Sequence, residues 1–93
     1  RTYLRDLRQK IESLWVYPRE AYARSETGTA VVRFSIQSDG TLAATGIVSS
    51  SGFESLDRGA LAVVQAAAPY DPFPETFNLS TLHIVARFEY ELN

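Results

Sequence analysis

Apolar and polar positions change their spacing several times along this chain, and each change marks an element. Over residues 2–15 the apolar side chains Leu4, Leu7, Ile11, Leu14 and Trp15 recur at threes and fours, which puts them on one stripe of a helix. Thr2 offers a capping hydroxyl at the start, and Pro18 holds Tyr17 extended, so the helix is predicted to end near Val16. Pro18 also suits the first position of a short further turn, Pro18-Arg-Glu-Ala-Tyr-Ala.

The spacing then becomes two. Gly28 opens a strand in which Val32, Phe34 and Ile36 alternate with Arg33, Ser35 and Gln37. Asp39-Gly40 is a strong hairpin signal, because glycine takes positive φ without steric cost. A second strand is predicted over 41–49. Leu42 and Ile47 fall on opposite faces of a regular strand, and a bulge is expected at Gly46 to reconcile them. Helical spacing returns with Leu56, Ala60, Val63, Val64 and Ala67, behind a capping-box pattern from Ser51 to Glu54 with Asp57 in the first turn. Pro69 stops that helix, and Pro72 and Pro74 stiffen the loop after it, with Tyr70 and Phe73 expected to pack back on the core. A last strand alternates cleanly: Leu82, Ile84, Ala86, Phe88, Tyr90 and Leu92 against His83, Val85, Arg87, Glu89 and Glu91.

The order α-β-β-α-β constrains the topology. The hairpin runs one strand up and the next down; the helix returns, so the last strand runs down and pairs antiparallel with the first. The expected fold is α+β: a two-layer sandwich with a three-stranded antiparallel sheet, order 2-1-3, under two helices. The last strand is then an edge, long and free of proline, with unpaired N–H and C=O groups open to an extended peptide.

Composition narrows the chemistry. Ninety-three residues suit one domain over 1–93, and a net charge of −2 lacks the basic footprint of a nucleic-acid binder. Arg1, Arg5, Arg8, Lys10, Arg19 and Arg24 cluster early and read as a solvated helix face. There is no cysteine, and the single histidine, His83, has no partners at metal-ligand spacing, so no metal or cofactor is expected and His83 reads as an exposed strand residue. Ser49 to Ser51 lack a nucleophile-elbow pattern, no phosphate-binding glycine motif occurs, and no enzymatic activity is expected. With no Met in a chain that begins at Arg1, the sequence reads as a fragment of a longer protein.

Tyr17-Pro18, Ala21, the run Gly28-x-Ala30-x-Val32-x-Phe34, Asp39-Gly40, Ser50-Ser51-Gly52, Leu56-Asp57 and the alternating last strand, in this order and spacing, resemble the C-terminal domain of the TonB family of energy transducers. The run Gln65-Ala-Ala-Ala-Pro69, and Thr45 with Gly46, depart from the basic, aromatic or larger residues usual there. The resemblance implies a periplasmic domain of an inner-membrane-anchored Gram-negative protein. It would bind the TonB box of an outer-membrane transporter by strand addition and pass on energy from an ExbB/ExbD-type motor. The implied protein-binding residues are Tyr17, Pro18, Leu82, His83, Ile84, Val85, Ala86, Arg87, Phe88, Glu89, Tyr90 and Glu91. Tyr17 reads equally well as core packing beside Trp15. The TolA C-terminal domain shares the architecture, and strand exchange in a homodimer is another way to close the same edge.

Overall fold

The computed structural model describes residues 2–93; Arg1, counted above in the early basic cluster, lies outside the described residues. Along these residues run α1 (Tyr3–Leu14), α2 (Arg19–Ala23), β1 (Gly28–Gln37), β2 (Leu42–Ser49), α3 (Glu54–Ala66), a 3-10 turn (Glu75–Phe77) and β3 (Thr81–Tyr90). The sheet is antiparallel with order β2-β1-β3, as the sequence argument requires. The helices lie on its apolar face.

The core follows from the alternation in β1. Ala30, Val32, Phe34 and Ile36 all point inward and are buried, against Leu56, Ala60, Val63 and Val64 of α3. Burying the valine, leucine, isoleucine and phenylalanine side chains among them contributes roughly 1.5–3 kcal/mol each. Gly59 explains how α3 comes so close to its neighbours: a Cβ there would stand 2.8 Å from Pro18 Cγ and 3.4 Å from the Tyr90 hydroxyl. Tyr70 is buried as expected, stacked on Phe34 at 5.9 Å, with its hydroxyl donating to the Val64 carbonyl at 2.7 Å. Burial, with Tyr3 nearby, pushes its phenol up to about 12.

The β1–β2 hairpin closes where Asp39-Gly40 places it. The Gly40 N–H donates to Gln37 O at 2.8 Å, and Gly40 has φ +93°. The loop after α3 is seated directly on this turn. Tyr70 N–H donates to Gly40 O at 2.8 Å, and a Cβ on Gly40 would lie 1.9 Å from the Tyr70 carbonyl oxygen.

Four details differ from the sequence reading. The bulge is not at Gly46, which pairs regularly with Arg33. Pairing slips instead between Ala44 and Leu42, leaving Ala43 as the extra residue, and again at Val48. The slip at Ala43 is what turns Leu42 and Ile47 to the same face, opposite Ile36 and Val32. The capping box does not form: α3 begins after Phe53, whose side chain does not cap it. Asp57 takes over, accepting from Ser50 Oγ at 2.5 Å and from Ser51 N–H and Oγ at 2.8 Å each, so the carboxylate clasps the end of β2 to the helix. Glu54 faces solvent, 3.5 Å from Arg58. The last strand stops at Tyr90, not Leu92, because its partner β1 begins at Gly28, opposite Tyr90. In α1 only Leu7 and Ile11 of the stripe are buried, while Leu4 and Leu14 stay exposed.

Candidate functional site: the free edge of the sheet

β3 pairs with β1 over ten residues without a slip, from Gly28 opposite Tyr90 to Gln37 opposite Thr81. On its other side no strand of the described residues pairs with it. The direction of each backbone group follows from the ladder. Just beyond the paired strands Ser38 N–H donates to Ser80 O at 3.0 Å, whereas Gln37 uses its N–H and C=O toward the hairpin, with Thr41 and Gly40. Antiparallel pairs alternate between hydrogen-bonded and non-hydrogen-bonded. Leu82, Ile84, Ala86, Phe88 and Tyr90 therefore spend their backbone groups on β1, and Thr81, His83, Val85, Arg87 and Glu89 direct theirs to the open edge.

Side chains alternate in the same register. Those of His83, Val85, Arg87 and Glu89 lie exposed on the helix-free face. His83 Nδ1 and Ser35 Oγ are 2.8 Å apart across the β1–β3 pair, and Arg87 pairs with Glu89 at 3.3 Å. Such an exposed ion pair contributes about 0–1 kcal/mol and protects the edge only weakly. Glu91 lies just past the strand.

The helix-facing side of β3 is covered unevenly. At its C-terminal end Phe88 and Tyr90 are buried, and Trp15 meets both rings edge-on at 5.5 and 5.3 Å. Each such aromatic pair adds about 0.5–1.5 kcal/mol. Among the described residues Tyr90 Oη and Trp15 Nε1 make no hydrogen bond of ordinary geometry; burial pushes the Tyr90 phenol up, and the nearby Trp15 N–H offsets this only in part. Leu82, Ile84 and Ala86 are only half-buried. Beside them a groove of about 360 Å³ opens between β3 and α1, lined by Leu4, Arg8, Ile11, Trp15 and the run from Ile84 to Phe88. α1 spans this groove because both its ends are tied down. Tyr3 donates to Asp71 O at 2.7 Å and packs edge-on against Phe73 and Phe77, Lys10 donates to Pro69 O at 3.0 Å, and Trp15 anchors the far end.

Tyr17 and Pro18 take different places. Tyr17 packs edge-on against Tyr90 at 5.3 Å and Tyr22 at 5.7 Å, and its hydroxyl donates to the Glu26 carbonyl. Burial, with Glu26 nearby, raises its pKa. It stands at the C-terminal end of β3, while Pro18 packs against Gly59 of α3, away from the open edge. Among the described residues no cluster of three or more His, Cys, Asp or Glu could hold a metal ion. Sequence reasoning missed the groove, because its opening depends on how far α1 stands from β3.

The profile of the family described as Gram-negative bacterial TonB protein C-terminal matches residues 14–92. The chain belongs to this TonB C-terminal family. Similar curated relatives are the TonB proteins of Pseudomonas putida, 32% identical over 83% of this chain, and of Pasteurella multocida, 35% identical over 77%. This chain spans 32% and 28% of their lengths. The solution structure of the Helicobacter pylori TonB C-terminal domain is similar in fold, with a TM-score of 0.82, 30% identity and coverage of 98% of this chain and 81% of that one. The Pseudomonas aeruginosa TonB C-terminal domain is similar at a TM-score of 0.63 and 29% identity, over 83% of this chain and 77% of that one. The TonB C-terminal match leaves α1 almost wholly outside it, so the roof of the groove precedes the segment that defines the family.

Proposed function

We propose that this TonB-type domain captures a short extended segment of an outer-membrane transporter, the TonB box, as a fourth strand on β3, and so couples transporter to energy source. One observation carries the reading: β3 keeps an unbroken ten-residue register with β1 while its other edge is unpaired. His83, Val85 and Arg87 supply the central edge N–H and C=O groups, flanked by Thr81 and Glu89. Backbone bonds then provide affinity, and alternate side chains provide register. Tyr17 and Pro18 act indirectly, bracing the C-terminal end of β3 and its contact with α3.

In this reading the domain works in the periplasm as part of a longer protein anchored in the inner membrane, where an ExbB/ExbD-type motor supplies force. A strand held along its length shares a pull among several hydrogen bonds. Six or so ordered residues bury little area, so affinity on the order of micromolar is expected. The test is an NMR titration of the labelled domain with the N-terminal box peptide of a transporter from the same genome. Amide shifts concentrated over residues 81–90 support the reading, and no shift at millimolar peptide in a folded sample refutes it.

A further inference from the structure

We infer that the groove between α1 and β3 is a side-chain recognition pocket that takes two alternate apolar side chains of the captured strand. This rests on strand addition at β3 and adds to it what the peptide must look like.

Parity carries the first step. The free backbone groups belong to His83, Val85 and Arg87, so an added strand lies in plane beside them, whichever way it runs. Its alternate side chains then fall on the helix side of the sheet, level with Ile84 and Ala86. That is where β3 is only half-buried and where the groove lies, roofed by Leu4 and Ile11. The occupant is thus part of the same peptide that the edge holds, because pocket and unpaired backbone are one continuous surface.

Size and polarity carry the second. A cavity of about 150 Å³ admits a benzene ring, so 360 Å³ suits about two aliphatic or aromatic side chains. Ala86 is the smallest side chain in the inward series from Leu82 to Tyr90, and its smallness leaves this space open. At the rim Arg8 pairs with Glu12 at 3.1 Å and Arg87 with Glu89 at 3.3 Å, so each charged side chain on the wall already has an opposite neighbour and the groove favours apolar side chains over ionic ones. Leu4 is 53% exposed, an apolar residue on the roof that the described residues leave half uncovered. The preferred peptide therefore carries Val, Leu, Ile or Phe at two positions spaced by two, with the residues between them facing solvent.

The experiment uses the box peptide of a transporter from the same genome and two variants of it. Each variant carries Asp at alternate positions, one set in each parity. Binding is measured to the wild-type domain and to Ala86→Leu, Leu4→Glu and Val85→Pro, with folding checked by circular dichroism. One Asp parity is expected to weaken binding at least tenfold and the other less than threefold. Ala86→Leu fills the groove from within and should weaken the parent peptide about tenfold. Leu4→Glu, at an exposed position where folding is not at stake, should do so several-fold. If Val85→Pro abolishes binding but both parities and both groove variants behave alike, the pocket is refuted and strand addition stands. If Val85→Pro binds like wild type, strand addition itself falls, and the pocket with it. Groove amides that shift with protein concentration and not with peptide would mean that a second copy occupies the site, which also overturns the inference.

Discussion

The two outer strands of this sheet treat their free edges in opposite ways. β2 has eight residues, slips against β1 at Ala43 and Val48, and is pinned at both ends: by the turn at Gly40 under Tyr70, and by the Asp57 clasp on Ser50 and Ser51. β3 has ten residues and no slip. Bulges throw backbone groups out of line with any second strand and sharpen the local twist, a common way to blunt an edge. One sheet thus has one irregular border and one regular border, so the unbroken edge is a property of β3 and not of every outer strand.

The largest effect should come from moving a proline by one residue in β3. Ala86→Pro removes an N–H that bonds to β1 and should cost about 3 kcal/mol or more in urea unfolding. Val85→Pro removes an N–H aimed at solvent, should cost under about 1 kcal/mol, and should still abolish peptide capture. A larger cost for Val85→Pro than for Ala86→Pro would mean that the ladder runs in the other parity. Next in size, Gly40→Ala should destabilise by about 2–3 kcal/mol, since φ +93° disfavours a side chain and the new Cβ would strike the Tyr70 carbonyl. That loss should appear first as faster amide exchange in β2, with β3 following only on global unfolding.

Asp57→Ala should cost about 2 kcal/mol through the lost clasp. Burial raises the Asp57 pKa, but the hydrogen bonds from Ser50 and Ser51 outweigh it and hold the carboxyl below its ordinary value. A depressed native pKa means that this stability is complete above the unfolded value near 4 and is lost as pH falls through the native one. Urea unfolding should therefore separate wild type from Asp57→Ala at pH 7, and the gap should narrow progressively as the pH is lowered below about 4. The smallest change in stability, within about 1 kcal/mol, is expected on deleting Ala43. Without its extra residue β2 becomes regular from Leu42 to Ile47, and sedimentation should reveal stronger self-association than in the parent domain. An unchanged sedimentation profile would show that the bulge does not guard this edge.

Much of this comparison was legible in the chain. Strict alternation in β1 and β3, the Asp39-Gly40 turn and two helical stripes leave few arrangements, and the right-handed crossover selects order β2-β1-β3. The details that were not legible depend on tertiary contact. Leu42 and Ile47 demanded a parity change, yet pattern alone pointed to Gly46, because glycine tolerates irregular backbone; partner register moved the slip to Ala43. Ser51 and Glu54 matched a capping box, but Asp57 competed for the Ser51 hydroxyl and N–H, and the helix began later. The groove had no sequence signal of its own, because Leu4 reads as one more residue of the α1 stripe until Trp15 and Tyr3 fix where that helix lies.

Hydrogen exchange of individual β3 amides, with and without box peptide, tests the open-edge account most directly. In the free domain Ile84, Ala86 and Phe88 should exchange slowly, and His83, Val85 and Arg87 quickly. Peptide should protect the fast set and leave the slow set unchanged. Uniform protection along β3 in the free domain, or peptide binding that leaves His83, Val85 and Arg87 fast, would contradict it.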